Sequence, residues 1–254
     1  MSARLPRRVL PAAAPPAKTR LVIVTAARTA YERLRADILR CALAPGERLR
    51  IHDLTKRYAS GPIPTREALN RLAAEGLALH SDQRGFTVAP ISAEDLVELT
   101  LARAWVYEIA MRESVRRGDD AWEERCLLAY HRLKKVPRYL SVEPPAPNPD
   151  YDRPHRDFHI ALISACGSRW MIDIAERLFD HAERYRNLSR KIAIIPREDE
   201  HKKMIDAVLA RSGDEAVALL KRHVELTAEI VAGPPARAAK RPKAARGRGG
   251  ARGT

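Results

Sequence analysis

The sequence has no apolar run long enough to cross a bilayer. Its longest, Leu21 to Ala27 with Thr25 inside it, falls far short of the roughly 20 residues that a spanning helix needs, so a membrane protein is excluded. No secretory signal is legible either: the basic first stretch is broken by Pro6, Pro11, Pro15 and Pro16, and no continuous apolar segment follows it. A cytoplasmic location is expected. Cysteine is scarce. Cys41, Cys126 and Cys166 are odd in number and widely spaced, which fits neither a disulfide framework nor a paired-cysteine zinc site, and they read as buried reduced thiols. Aromatic residues are only 5% of the chain, while Ala and Leu are abundant, a composition that suits packed helices better than a large sheet.

Acidic residues are missing from both ends. The 254-residue chain has a formal net charge of +14, yet residues 1–24 hold five basic and no acidic side chains and residues 233–254 hold seven basic and none acidic. Rich in Pro, Ala, Gly and Arg, these two tails bury too little to offset the entropy of ordering and are expected to be disordered. They either hold phosphates without reading sequence or are simply solvated ends. Residues 25–90 carry +4 and residues 91–232 carry −2, so the excess charge of the body sits in its first part.

Along residues 25–90 the apolar positions Ala30, Leu34, Ile38, Leu39 and Cys41 recur at helical spacing until Pro45-Gly46. A second helix fits Ile51 to Tyr58. A third, from about Pro64 through Leu77, starts with a proline suited to the first turn. Two short extended pieces, 78–80 and 86–88, are joined by Ser81-Asp82-Gln83-Arg84-Gly85, with the glycine supplying a positive-φ position. Three helices followed by a hairpin is the order of a winged helix-turn-helix.

Beyond residue 90 six helices are expected: 94–117, 121–136, 153–165, 169–194, 197–211 and 214–231, with Gly167 and Gly213 as stops. The six prolines between Pro137 and Pro154 make that stretch a connection. The fold class is therefore mainly α, an N-terminal winged helix-turn-helix followed by an all-helical bundle. Within the bundle His155 and His159 lie four apart on one helix face, and His201 and His223 fall on later helices among apolar neighbours. Four such imidazoles either converge on a cation or are scattered histidines, each with its own partner. Spacing alone leaves both open.

The stretches 43–49, 65–77 and 84–88 (LAPGERL, TREALNRLAAEGL and RGFTV) resemble, collinearly, the DNA-binding domain of GntR-type bacterial transcription regulators. That resemblance implies that the third helix enters the major groove and that the wing approaches the minor groove. It nominates Arg66, Asn70, Thr65, Arg84, Gly85 and, where the family often has Arg, His52 as DNA-binding residues. Arg66 grips guanine or a phosphate, or pairs with a carboxylate; Asn70 suits adenine, or is an exposed helix residue. Pro62 also stands where the family has Arg, which alters the expected operator.

The stretches 156–168, 200–205 and 222–224 (RDFHIALISACGS, EHKKMI and RHV) resemble the FCD ligand-binding domain of the FadR-like subgroup, in its six-helix VanR-like form. Many members bind a divalent metal through an acidic residue or Asn and three histidines. Here His159, His201 and His223 match the histidines, and His155 stands at the acidic position. An all-imidazole set suits zinc, nickel or copper. Asp152, one turn back, is either a carboxylate ligand or a helix cap. Arg103 matches the family's arginine for a carboxylate effector or forms an ion pair with Glu98 or Glu108, and Arg186 and Asn187 are candidates for the pocket wall.

The resemblance implies a homodimeric repressor on a palindromic DNA operator, controlled by a small carboxylate, and not an enzyme. Two rivals remain at this point. A metal-dependent enzyme would use the same histidines, although Asp157 and Glu200 are expected to point away from them. A packaging protein would act through the tails.

Overall fold

In a computed structural model of the chain, residues 26–192 and 199–232 are described. The tails expected to be disordered lie outside these residues, as do the end of the helix expected to reach residue 194 and the start of the one expected from 197.

The first unit is built from α1 (Ala26–Leu39), β1 (Arg48–Leu49), α2 (Ile51–Tyr58), α3 (Pro62–Ala74), β2 (Ala78–Ser81) and β3 (Gly85–Val88). Leu34, Ile38, Leu69, Leu72, Phe86 and Val88 are buried together as its core. Each such side chain contributes about 1.5–3 kcal/mol when removed from water, enough in sum to hold a small domain whose helices are individually short. The wing is an antiparallel hairpin of β2 and β3, with β1 pairing on the other edge of β3 through Arg48↔Thr87 and Leu49↔Phe86. Gly85 opens β3 at φ +70, a conformation that favours glycine. The first helix ends before Cys41, which lies in a left-handed turn rather than on the helix. The third begins two residues earlier than expected, with Pro62 in its first turn, and ends before Leu77.

The second unit is a bundle of α4 (Ala93–Arg117), α5 (Asp120–Lys134), α6 (Asp152–Ile163), α7 (Arg169–Ile192), α8 (Glu200–Leu209) and α9 (Gly213–Ala232). Local chemistry sets the starts of several helices. Ser92 Oγ accepts from the Asp95 amide, Asp119 from Trp122 and Asp199 from Lys202, each cap being worth about 1 kcal/mol. Gly213, expected as a stop, is instead the first residue of α9; the positive φ before it belongs to Arg211. At Gly118 a Cβ would meet the Trp122 ring at 2.0 Å, so the turn between α4 and α5 has room only for glycine. Trp122 is fully buried and its Nε1 donates to the Ala161 carbonyl at 2.9 Å, tying α5 to α6. The proline-rich connection is not merely extended: it forms a short hairpin, β4 (Tyr139–Ser141) with β5 (Ala146–Pro147), before a single 3₁₀ turn leads into α6. Cys126 and Cys166 are buried free thiols, and Cys41 is partly buried.

The long helix α7 joins the two units. From it Asp180 pairs with Arg35, His181 Nε2 lies 3.0 Å from the Glu75 carbonyl, Arg184 donates to the Ala89 carbonyl, and Asn187 Nδ2 donates to the Leu39 carbonyl at 2.9 Å. Between the units lies a cleft of about 890 Å³ lined largely by charged residues such as Arg35, Arg71, Glu176 and Asp180. Among the described residues no helix is long and apolar enough to cross a membrane.

Candidate metal centre and nucleic-acid interface

Helix α6 is amphipathic with a heavily buried face, and its 3.6-residue repeat puts His155 and His159 on that face one turn apart. α8 contributes His201 from its first turn, and α9 contributes His223. The four rings converge. Centroid separations run from 4.5 Å for His155 and His159 to 6.1 Å for His155 and His223, and one nitrogen from each ring falls within 4.8 Å of the others. His155, His159 and His223 are buried, His201 partly so. Phe158 and Phe179 form the apolar wall, with the Phe179 ring 5.7 Å from His155. Phe179 also lines the cleft between the units.

Burial is the first cause that drives the His155 and His159 pKa values well below 6.5. For His155 the next is the Arg186 guanidinium, and for His159 it is the His223 ring. Both rings are therefore neutral at pH 7, the form whose lone pair can ligate a cation. His159 Nδ1 is buried without a hydrogen-bond partner, an arrangement that costs on the order of 1–3 kcal/mol unless something supplies the partner. A transition metal at about 2.0–2.1 Å from each nitrogen separates two ligands by at most about 4.2 Å. Four such ligands in a tetrahedron lie about 3.4 Å apart, so the 4.8 Å envelope closes onto an ion with movements on the order of an ångström. By donor chemistry and by geometry the four residues fit a divalent metal.

Carboxylates support the cluster from behind. Glu200, expected to point away, accepts from His223 Nδ1 at 2.6 Å, which leaves Nε2 of that ring as the ligating nitrogen. Asp152 is neither a ligand nor a cap: it lies in the first turn of α6, where its carboxylate takes a 2.5 Å hydrogen bond from the buried Arg190 and lies 3.9 Å from Arg40. Arg186 contacts His155 Nδ1 and pairs with Glu183, whose carboxyl pKa is raised by burial and held down in part by that guanidinium. Asn187 does not line the cluster. It bonds to Glu183, to Arg190 and, across the domain boundary, to Leu39.

Arg103 is the cation left over. It is only 7% exposed, stacks over Tyr107 and Phe179 with centroid distances of 5.3 and 5.7 Å, and has no partner at Nε. Glu108 turns instead to Lys221 and Arg112, and among the described residues no carboxylate lies within ion-pair distance of Arg103. Its charge reaches the cluster, lowering the His159 pKa further. A buried guanidinium with no carboxylate in reach, beside a cluster whose donors fit a cation, favours an anion next to it.

At the other end of the molecule α3 presents Ile63, Arg66 and Asn70 to solvent at spacings of three and four residues, one helix face. Thr65 is turned inward: it is buried, and its hydroxyl bonds to the Gly61 carbonyl at 2.9 Å and to Ser60 Oγ at 2.7 Å. It braces the turn between α2 and α3 and has no surface for DNA. His52 is exposed in the first turn of α2, and Arg84 and Gly85 are exposed at the wing tip.

Glu200 meets His223, and Asp152 meets Arg190, only through tertiary contacts that no spacing announces, whereas Glu183 reaches Arg186 at an i, i+3 spacing within α7. A weak signal did exist for Glu200, adjacent to His201 in sequence.

Comparison with known proteins gives two matches in series. Residues 26–88 match bacterial regulatory proteins of the gntR family, and residues 98–226 match the FCD domain. The chain is 38% identical over 203 residues to BphR of Paraburkholderia xenovorans, an uncharacterized HTH-type transcriptional regulator, covering 79% of this chain and 83% of that protein. It is 36% identical over 200 residues to the transcriptional repressor GlaR of Escherichia coli, covering 76% and 90%. Among solved structures, Escherichia coli McbR/YncC superposes with a TM-score of 0.68 at 18% identity over 82% of this chain and 98% of that one, a likeness of fold.

Proposed function

This chain belongs to the GntR family of bacterial regulatory proteins, with an FCD domain behind its winged helix, and from that premise we propose that it is a repressor released from DNA by a small carboxylate bound at a metal-containing pocket. It is a DNA-binding transcriptional regulator and not an enzyme. Convergence of His155, His159, His201 and His223 beside the buried Arg103, whose Nε has no hydrogen-bond partner, carries the reading of the pocket.

The four histidines would hold the ion, zinc or nickel by their all-nitrogen set. When bound, it supplies undiminished positive charge, since no carboxylate ligates it. Arg103 offers the forked donors that fix a carboxylate. Glu200 keeps His223 in one tautomer, and Phe158 and Phe179 exclude water.

The pocket and the DNA-binding unit share α7. A run of buried polar contacts goes from His155 to Arg186, Glu183 and Asn187, ending on the Leu39 carbonyl at the end of α1. A parallel branch runs from Asn187 through Arg190 to Asp152, with Arg40 beyond it. An acid that draws Arg103 and the neighbouring Arg186 toward itself moves α7 against α1, and so re-aims α3. The size of the effect is bounded by the acid's preference for one of the two arrangements.

On DNA the protein acts as a homodimer whose recognition helices sit one turn apart, about 34–36 Å, on a palindrome. Arg66 and Asn70 on α3, His52 on α2, and Arg84 and Gly85 on the wing are its contacts. The second copy is seated on α4, which exposes Val97, Leu101, Trp105 and Ile109 at successive intervals of four residues, an apolar stripe along one helix face of the kind that marks an interaction surface. The cell compartment is the cytoplasm, where the DNA is.

Footprinting on the DNA upstream of its own gene, with and without chelator and with a panel of carboxylic acids, tests the reading. A protected palindrome released by one acid is expected. Sequence-blind retention, unaffected by every acid and by chelator, would overturn it.

A further inference from the structure

The geometry points to Ile63 as a specificity determinant that reads the C5-methyl group of a thymine in the major groove. Ile63 is the second residue of the helix α3 and 79% exposed. Burial elsewhere in the fold does not explain it, because it contributes nothing to the core of the first unit. Its position is fixed on both sides by Pro62 and Pro64, whose locked φ angles leave the backbone little freedom. The side chain is held where α3 meets its ligand.

Spacing sets its neighbours. Ile63, Arg66 and Asn70 share one face, and together with Ile51, Pro62 and Glu67 they line a shallow hollow of about 410 Å³. Among the described residues no carboxylate lies within ion-pair distance of Arg66, so its charge is available to a guanine edge or a phosphate. Beside it, Ile51, Pro62 and Ile63 form an apolar floor with no donor or acceptor in their side chains. Of the four bases only thymine presents an apolar group in the major groove. The exposed edges of cytosine, adenine and guanine would lose water against that floor without gaining a hydrogen bond, which disfavours them. The occupant is thus a T·A pair next to the position contacted by Arg66. This rests on the DNA-reading role of α3 and not on the metal pocket.

The test replaces one methyl group at a time. Operators are selected from a random-sequence duplex pool with the wild-type protein and with Ile63→Ala, and each thymine of the wild-type operator is then exchanged for deoxyuridine, which lacks only the methyl. Burying one such group is worth about 0.8 kcal/mol, about fourfold in affinity at 1.4 kcal/mol per tenfold. One thymine per half-site should therefore show about a fourfold loss with the wild-type protein and none with Ile63→Ala. Ile63→Val should retain most of the discrimination. The salt dependence should be the same for all three proteins, since Ile63 carries no charge. Indifference of the wild-type protein to every exchange would overturn the assignment, as would a thymine preference undiminished in Ile63→Ala. Equal weakening on all sequences would also overturn it, giving Ile63 to a protein partner instead.

Discussion

The Glu200 carboxylate accepts a 2.6 Å hydrogen bond from Nδ1 of His223, two residues that are far apart in sequence and on different helices. Because Nδ1 carries that proton, Nε2 is the unprotonated nitrogen of the ring, and Glu200 fixes the ring's orientation among the other three histidines. Outer partners of this kind are worth 10–100-fold in metal affinity. Glu200→Gln should weaken zinc binding by about that factor in competition with a fluorescent chelator, whereas Asp157→Asn, at an exposed neighbour of the cluster, should leave it unchanged. Equal affinities for wild type and Glu200→Gln would separate Glu200 from the site.

Arg103 should control the acid and not the metal. A charge-assisted hydrogen bond contributes about 1.5–3 kcal/mol, so Arg103→Gln should raise the concentration of acid needed to release DNA by about 10–100-fold. Metal stoichiometry and affinity for the operator without acid should stay as in wild type. Gel-shift titrations with each protein check this. A parallel loss of metal binding would assign Arg103 to the ion's surroundings alone.

Much of this architecture was legible in the sequence because it obeys local periodicity. The i, i+4 pair His155 and His159 follows from 3.6 residues per turn, and α2 from Ile51 to Tyr58 carries its apolar positions on one side. Gly85 marked the wing because a turn needs its positive φ. What stayed illegible was decided at a distance. Two residues, Arg48 and Leu49, are too few to show a strand period, and they become β1 only because the edge of β3 is open to them. Thr65 reads like a DNA contact until the Gly61 and Ser60 oxygens turn it inward. Asn187 looks like pocket lining until α7 is laid against Leu39, and Glu200 looks solvated until α9 brings His223 to it.

Acid should destabilise the metal-free protein. Folded His155 and His159 have pKa values well below 6.5, while in the unfolded chain they titrate near about 6.5. Below that pH the unfolded state binds more protons than the folded one, so stability falls as pH drops from about 7 toward the folded pKa values. Thermal melts in chelator between pH 7.5 and about 5 should show a declining midpoint. Excess zinc should restore it at the upper end of the range, by mass action on the folded state. His159→Gln should flatten the decline. A midpoint independent of pH in chelator would contradict neutral buried rings.

Asn187 should couple the two units. Asn187→Ala removes the donor to the Leu39 carbonyl and leaves Glu183 and Arg190 with one partner fewer, at about 1–3 kcal/mol of stability. The protein should still bind metal and acid, and the ratio of operator affinities with and without acid should collapse toward one. Isothermal titration of the acid alongside gel shifts distinguishes this from simple damage. An unaltered ratio would place the coupling elsewhere on α7, with Asp180 and Arg35 the next pair to examine.

Trp105 should be central to dimer formation. It lies in the middle of the Val97, Leu101, Trp105 and Ile109 stripe on α4 and is 59% exposed in the single chain. Self-association about a two-fold axis brings a residue near the centre of such a stripe close to its own copy, so Trp105→Asp sets two like charges together in a desolvated contact and removes an aromatic anchor of the type that dominates interfaces. Sedimentation should change from dimer to monomer at micromolar concentration. Affinity for a full palindrome should then drop by well over tenfold toward that for a half-site, because the second recognition helix no longer arrives with the first. The buried histidine cluster lies on other helices, so zinc stoichiometry per chain should not change. A dimer that survives Trp105→Asp would move the interface off α4.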